Sequence, residues 1–188
     1  MDVADISSPA KYNEKYKYLL NVVDLFSRYA WSVSLKDKTD TSVTSALKSL
    51  FQTRKPITIQ SDKGTEFVKA TVLQYLKREA VNFRTTHSLD IKGAVIERFN
   101  RSLKTRMYKD FTKNNTYRCL DVKNKLSTGY NSVHYTIGMP PSKVNPSNIY
   151  SVWKGMNSLW GKIPQCRIKY KVGYLVRTIE KGTFAKGY

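Results

Sequence analysis

The sequence predicts an α/β fold in three layers, a five-stranded mixed sheet flanked by helices, and three observations carry that prediction. The first third holds three strand-like apolar runs in quick succession. From Asp40 the apolar residues switch to helical spacing, and helical and strand-like segments then alternate. With 188 residues, 40% of them hydrophobic, the chain has enough apolar material for one core of ordinary domain size.

Taken in order, Asp2 to Ile6 reads as the tail of a first strand, with Val3 and Ala4 inward. Ser7 to Lys15 is polar and holds Pro9 and Asn13, so it is a loop. Tyr16 to Phe26 (Y-K-Y-L-L-N-V-V-D-L-F) is rich in β-branched and aromatic residues and reads as a strand covered on both faces. After Ser27-Arg28, Tyr29 to Leu35 alternates like a third strand, completing an antiparallel meander. Thr39 or Asp40 caps a helix whose apolar face is Val43, Ala46, Leu47, Leu50 and Phe51. Pro56 precedes a fourth strand in which Ile57 and Ile59 alternate with polar neighbours. Phe67, Val68, Val72, Leu73 and Leu76 predict a helix from Thr65 to about Arg78, and Val81 to Thr85 a fifth strand.

The second half is mainly helical. His87 to Gly93 is a polar loop. Ala94 to Lys109 forms a helix with Val95, Ile96, Phe99, Leu103 and Met107 as its apolar stripe. On another face Glu97, Arg101, Lys104 and Tyr108 align at spacings of four, three and four. Asn115 to about Val133 reads as a further helix, and the compact part, residues 1–145, ends at Gly138-Met139-Pro140-Pro141. Residues 146–170 form a basic linker with a short helix around Tyr150 to Leu159. Val172 to Arg177 alternates like a strand near the end of the chain.

A formal net charge of +19 exceeds what solubility needs and points to a polyanion, nucleic acid being the commonest. No apolar run reaches bilayer-spanning length, so a membrane partner is not expected. Cys119 and Cys166 cannot build a disulfide framework or a four-ligand zinc site, and His87 and His134 are equally isolated. All four read as structural or surface residues.

The candidate chemistry lies in carboxylates. Asp62 ends the fourth strand, where a rigid element can hold a ligand or catalytic acid in a crevice. Alone, Asp62-Lys63-Gly64 reads as an ordinary turn. Glu97 alone reads as a chance charge on a solvated helix. If Asp2 or Asp5 on the first strand joins them, three oxygen donors converge, a cluster that hard cations neutralise. Such donors suit Mg²⁺ or Mn²⁺. Two such ions roughly 4 Å apart can serve phosphoryl transfer. A phosphodiester substrate agrees with the charge, and the basic face after Glu97 would hold its backbone.

The runs V-V-D-L-F-S-R-Y-A, S-D-K-G-T-E-F, A-V-I-E-R-F-N-R-S-L-K and Y-N-S-V-H-Y-T-I-G-M-P-P-S-K-V resemble the integrase core of retroviruses and retroelements. The resemblance is closest to integrases of Maverick/Polinton transposons and covers roughly Asp2 to Val144. It implies an RNase H-like fold and a D, D, E triad with two Mg²⁺ (or Mn²⁺) ions. The implied activity is trimming of 3′ ends and strand transfer of mobile-element DNA into target DNA. The implied partners are element-end and target DNA and further copies of the chain, and the implied location is the nucleus. Asp62 and Glu97 match the second and third triad members, with thirty-four residues between them. The family's D-x-x-D pattern maps the first member to Asp2, with Asp5 as the fallback. Lys104 matches a position that contacts element-end DNA; Arg101, Arg98 and Lys63 lie near the same motifs.

V-G-Y-L-V-R and F-A-K-G-Y resemble the opening strands of the SH3-like barrel that follows many integrase cores, so residues 171–188 are expected to begin one. The sequence departs from the family by opening at the first strand, with no zinc-binding module before it, and by stopping within the barrel. A fragment of a longer product or a decayed copy is the expectation. Two other functions compete with integration: a nuclease of the same fold, and a nucleic-acid-binding domain without turnover.

Overall fold

A computed structural model describes residues 1–62, 64–85, 94–120 and 132–158. Three strands, β1 (Asp2–Asp5), β2 (Tyr18–Val23) and β3 (Ala30–Leu35), form the antiparallel meander, with Asp2 opposite Asn21 and Val23 opposite Ala30. β2 is shorter than the apolar run that encodes it. Asp24 ends it: its carboxylate accepts from the Phe26 N–H and the Ser27 hydroxyl, and its own N–H bonds to the Tyr29 carbonyl. Arg28, at φ 61°, completes this turn.

Helix α1 (Asp40–Thr53) starts where predicted, with the Thr39 hydroxyl accepting from the Ser42 N–H. It buries Val43, Ala46, Leu47 and Leu50. β4 (Thr58–Ser61) follows, and of the two isoleucines only Ile59 is buried. Ile57 stands before the strand with 82% of its surface exposed, its carbonyl taken by the Asn82 N–H. Helix α2 (Ala70–Arg78) begins five residues later than its spacing suggests, because Phe67 belongs to a turn closed by its N–H on the Gly64 carbonyl. β5 (Asn82–Thr85) then pairs with β4 in parallel.

The five predicted strands are all present, yet they form two sheets rather than one: β1-β2-β3 and β4-β5. β1 has only four residues, and just before it the Met1 amino group donates to the Gln60 carbonyl of β4. A common core joins the sheets instead. Leu20 and Leu35 from one and Ile59 from the other pack with α1, α2 and Phe67 in a single cluster.

Helix α3 (Ala94–Asn114) covers the opposite face, where Phe99, Leu103 and Met107 meet Ala4, Ile6, Leu19 and Ala30. The predicted stripe is therefore correct, and the helix runs five residues beyond its predicted end. Helices thus lie on both sides of the strands, as three layers require. Cys119 and Leu120 are helical whereas 115–118 are not, and most of the helix expected over 115–133 lies outside the described residues. The early part of the expected linker is structured: after a 3₁₀ turn at Pro146–Asn148, helix α4 (Ile149–Ser158) buries Val152 against Ile137 and Val144. The expected barrel strands, residues 171–188, lie outside the described residues. Among the described residues no helix is long and apolar enough to cross a membrane.

Phe67 is fully buried and anchors the turn that follows β4. Replacing Phe67 with Ala should cost roughly 3–5 kcal/mol in urea unfolding. A cost under about 1 kcal/mol would mean that Phe67 does not anchor the turn.

Candidate functional site

Pleating sorts the first strand's two acids. Alternate residues share a face, and Ala4 and Ile6 pack toward α3 while Val3 packs toward α1 and α2. Asp2 therefore belongs to the α3 face and Asp5 to the other. Asp5 is exposed, and the Ser7 hydrogen bonds hold its carboxyl below the usual range, with the charges of Lys38 and Lys104 acting the same way.

Asp2 is half-buried and fixed. Its Oδ1 accepts from the Val3 N–H and its Oδ2 from Asn100 Nδ2 on α3. Asn100 Oδ1 accepts in turn from Asn21 Nδ2 at 2.8 Å, and Asn21 Oδ1 from the Ser32 hydroxyl at 2.6 Å. Asn21 is fully buried on β2 directly opposite Asp2. A buried amide must find partners, and Asn21 finds them in Asn100 and Ser32. The chain Ser32–Asn21–Asn100–Asp2 thereby links four elements, β3, β2, α3 and β1, and ends on a carboxylate. Sequence reading missed it. The available signal was Asn21 itself, a polar residue inside Y-L-L-N-V-V.

Asp62 leaves β4 exposed to solvent, in a turn where the Gly64 N–H donates to its Oδ1 at 3.1 Å. A Cβ on Gly64 would lie 2.8 Å from Glu66 Oε2 and 3.1 Å from Asp62 Oδ1. A side chain there would crowd both carboxylates, and Glu66 joins the acidic turn, a residue the sequence reading treated only as part of a motif. Lys63 lies outside the described residues.

Asp2 and Asp62 share an electrostatic neighbour. Burial pushes the Met1 amino group's pKa down, while the negative charges of Asp2 and Asp62 both act to raise it. Glu97 lies in the first turn of α3, three residues before Asn100, and is exposed. Arg98, Arg101 and Lys104 are exposed as well, and Glu97, Arg101, Lys104 and Tyr108 follow one helical face. The structure therefore brings Asp2 and Asp62 toward one place and ties Asp2 to the turn after Glu97. Among the described residues, no three acidic, histidine or cysteine side chains are gathered closely enough to hold a metal ion. The donor types suit a hard cation, but the three-ligand arrangement is not preformed.

Comparisons with known proteins bear on the fold. Residues 1–89 match the integrase core domain family. A transposon-derived protein of Caenorhabditis elegans is 36% identical over 182 residues, which is 95% of this chain and 60% of the relative. The chain thus spans about 60% of the length of that curated relative. Among solved structures, the HTLV-2 integrase catalytic core in complex with magnesium superposes with a TM-score of 0.60 at 20% identity, over 76% of this chain and 91% of that one. The BIV integrase core gives 0.62 at 17% identity, over 81% and 95%. The simian T-cell lymphotropic virus intasome, in complex with a PP2A regulatory subunit, gives 0.65 at 20%, over 76% and 51%. The fold is the RNase H-like α/β fold of integrase catalytic cores.

If the amide chain holds α3 to the strands, Asn100→Ala should destabilise the fold by about 1–3 kcal/mol, since it leaves Asn21 and Asp2 without their partner. Adding Asn21→Val should then cost less than it does alone, a coupling of roughly 0.5–3 kcal/mol in a double-mutant cycle read by urea unfolding. Additive costs would show that the two amides do not act together.

Proposed function

We propose that a chain matching the integrase core domain over its first 89 residues, with the fold of retroviral integrase cores, is the catalytic core of a DNA-joining enzyme. Its reaction class is polynucleotidyl transfer: 3′ ends of mobile-element DNA are trimmed and then joined to target DNA. The observation that carries this reading is the Asp2–Asn100 hydrogen bond. It fixes β1's inward carboxylate to α3 one turn after Glu97, and the neighbouring Met1 amino group bonds to β4, the strand that Asp62 follows. The transposon-derived relative supports a mobile-element origin, and the sequence runs around Asp24, Asp62 and Glu97 support the narrower Maverick/Polinton assignment.

In this reading Asp2, Asp62 and Glu97 are the oxygen ligands for two Mg²⁺ or Mn²⁺ ions. When bound, such ions polarise the phosphate and favour the attacking oxygen. Asn100 acts by positioning Asp2. Glu97, exposed on the first turn of α3, would complete the donor set. Arg98, Arg101 and Lys104, with Lys63, bind DNA phosphates and set the strand's direction without reading bases. DNA is the partner, and a second copy of the chain supplies the multimer that two DNA ends require.

The experiment is a Mn²⁺-dependent assay with a labelled DNA end and a plasmid target, comparing wild type with Asp62→Asn. The variant should lose both joining and cleavage, while DNA binding keeps its affinity and salt dependence. Cleavage at the wild-type rate would remove Asp62 from the site. Binding without joining or cleavage by wild type would favour a nucleic-acid-binding domain instead.

A further inference from the structure

A row of aromatic rings begins where the basic face of α3 ends. Tyr108 meets Phe111 edge-on at 6.1 Å, Phe111 meets Tyr117 at 5.7 Å, and Tyr117 stacks on Tyr12 at 5.3 Å with 25° between planes. Phe111 is half-buried against the core, but Tyr108, Tyr117 and Tyr12 expose 67%, 54% and 47% of their surfaces.

The row is built from beneath. Asn115, at φ 46°, ends α3, and the Thr116 N–H returns to the Phe111 carbonyl at 3.3 Å, turning Tyr117 back onto Phe111. Asn13, almost fully buried, clamps the two loops: its Nδ2 donates to the Pro9 and Tyr117 carbonyls at 2.7 and 2.8 Å, and its Oδ1 accepts from the Leu120 N–H. The backbone is therefore held by hydrogen bonds that do not use the rings' outer faces. Rigid exposed aromatic surface of this kind marks a binding site more often than a fold requirement.

The rim is cationic. Lys11 Nζ lies 4.9 Å over the Tyr12 ring, Lys104 sits one turn before Tyr108 on the same face, and Lys109, Lys113 and Arg118 are exposed nearby in sequence. Against these cations stand two acids on the same segments, half-exposed Asp110, which accepts from Asn114 Nδ2 at 2.9 Å, and exposed Glu14, so the balance stays positive. At this patch, charge complementarity favours a polyanion over the basic surface of a second copy. A duplex offers it phosphates but no free base faces.

We propose that Tyr12, Tyr108 and Tyr117 form a stacking platform for unpaired bases of a DNA strand, its phosphates held by Lys11 and Lys104. Flat rings beside cations are the general solution for binding single strands without sequence preference. Tyr108 lies on the same helix as Glu97, so the platform would extend the interface beyond the phosphate contacts. It does not depend on the joining chemistry, so either can fail alone.

The test is a metal-free anisotropy titration of the full chain in the Asp62→Asn background. The two labelled probes are an oligothymidylate of roughly eight nucleotides and an abasic phosphodiester oligomer of equal length. The base-bearing probe should bind about tenfold tighter. Tyr12→Ser with Tyr108→Ser should remove that difference and leave abasic binding unchanged. Equal affinities for the two probes would overturn the proposal, and this comparison needs no tyrosine variant to fold. A folded double variant that keeps the preference would also overturn it, as would a doubled mass in light scattering that the tyrosine changes abolish, since a second copy would then occupy the face.

Discussion

Much of this structure depends on how α3 is held against the strands. The apolar stripe of Phe99, Leu103 and Met107 supplies the attraction, but burial of this kind is non-directional and would tolerate sliding. Direction comes from the amide chain. Asn21 has no water to fall back on, so it accepts one position of Asn100, and Asn100 in turn fixes Asp2. One buried polar residue thereby determines which turn of the helix faces the first strand. Glu97 stands three residues before that contact, and the basic face runs away from it toward Tyr108. Satisfying a polar group in the core and fixing the Asp2 carboxylate to α3 become the same structural event.

The second acid is held by a different device. Asp62 is not fixed by a distant partner but by its own turn, which Phe67 plugs into the core and Gly64 keeps narrow. The contrast is in keeping with the division of labour proposed for the site: a rigid carboxylate on β1, a turn-borne one after β4, and an exposed one on a helix end. Three acids held rigidly together would repel strongly.

Sequence made the elements legible and left their tertiary relations obscure. Helix spacing in V-T-S-A-L-K-S-L-F and the Thr39 cap are local signals, and both are reproduced. The stripe and the charged face of α3 are equally local. What failed was whatever needed a partner elsewhere. Asp24 ends β2 by bonding its own turn, so an apolar run overstated the strand. Phe67 fits helical spacing but is drawn into a turn by the core beneath it. The sheet's continuity depended on how far β1 extends beside β4, which no periodicity reports. Asn100 bonds Asn21 across 79 positions, a pairing invisible in a single sequence. The three carboxylates were recognisable by type and by resemblance, yet their spatial arrangement was not.

The central claim is that Asp2, Asp62 and Glu97 gather around divalent cations. The most direct measurement substitutes iron(II) for magnesium in the full chain, adds ascorbate and peroxide, and maps where the backbone is cut by locally generated radicals. The account predicts cuts confined to the neighbourhoods of Asp2, Asp62 and Glu97, suppressed together by excess Mg²⁺. Cuts near Asp62 and Glu66 that spare the first turn of α3, or cuts scattered without regard to Mg²⁺, would contradict it.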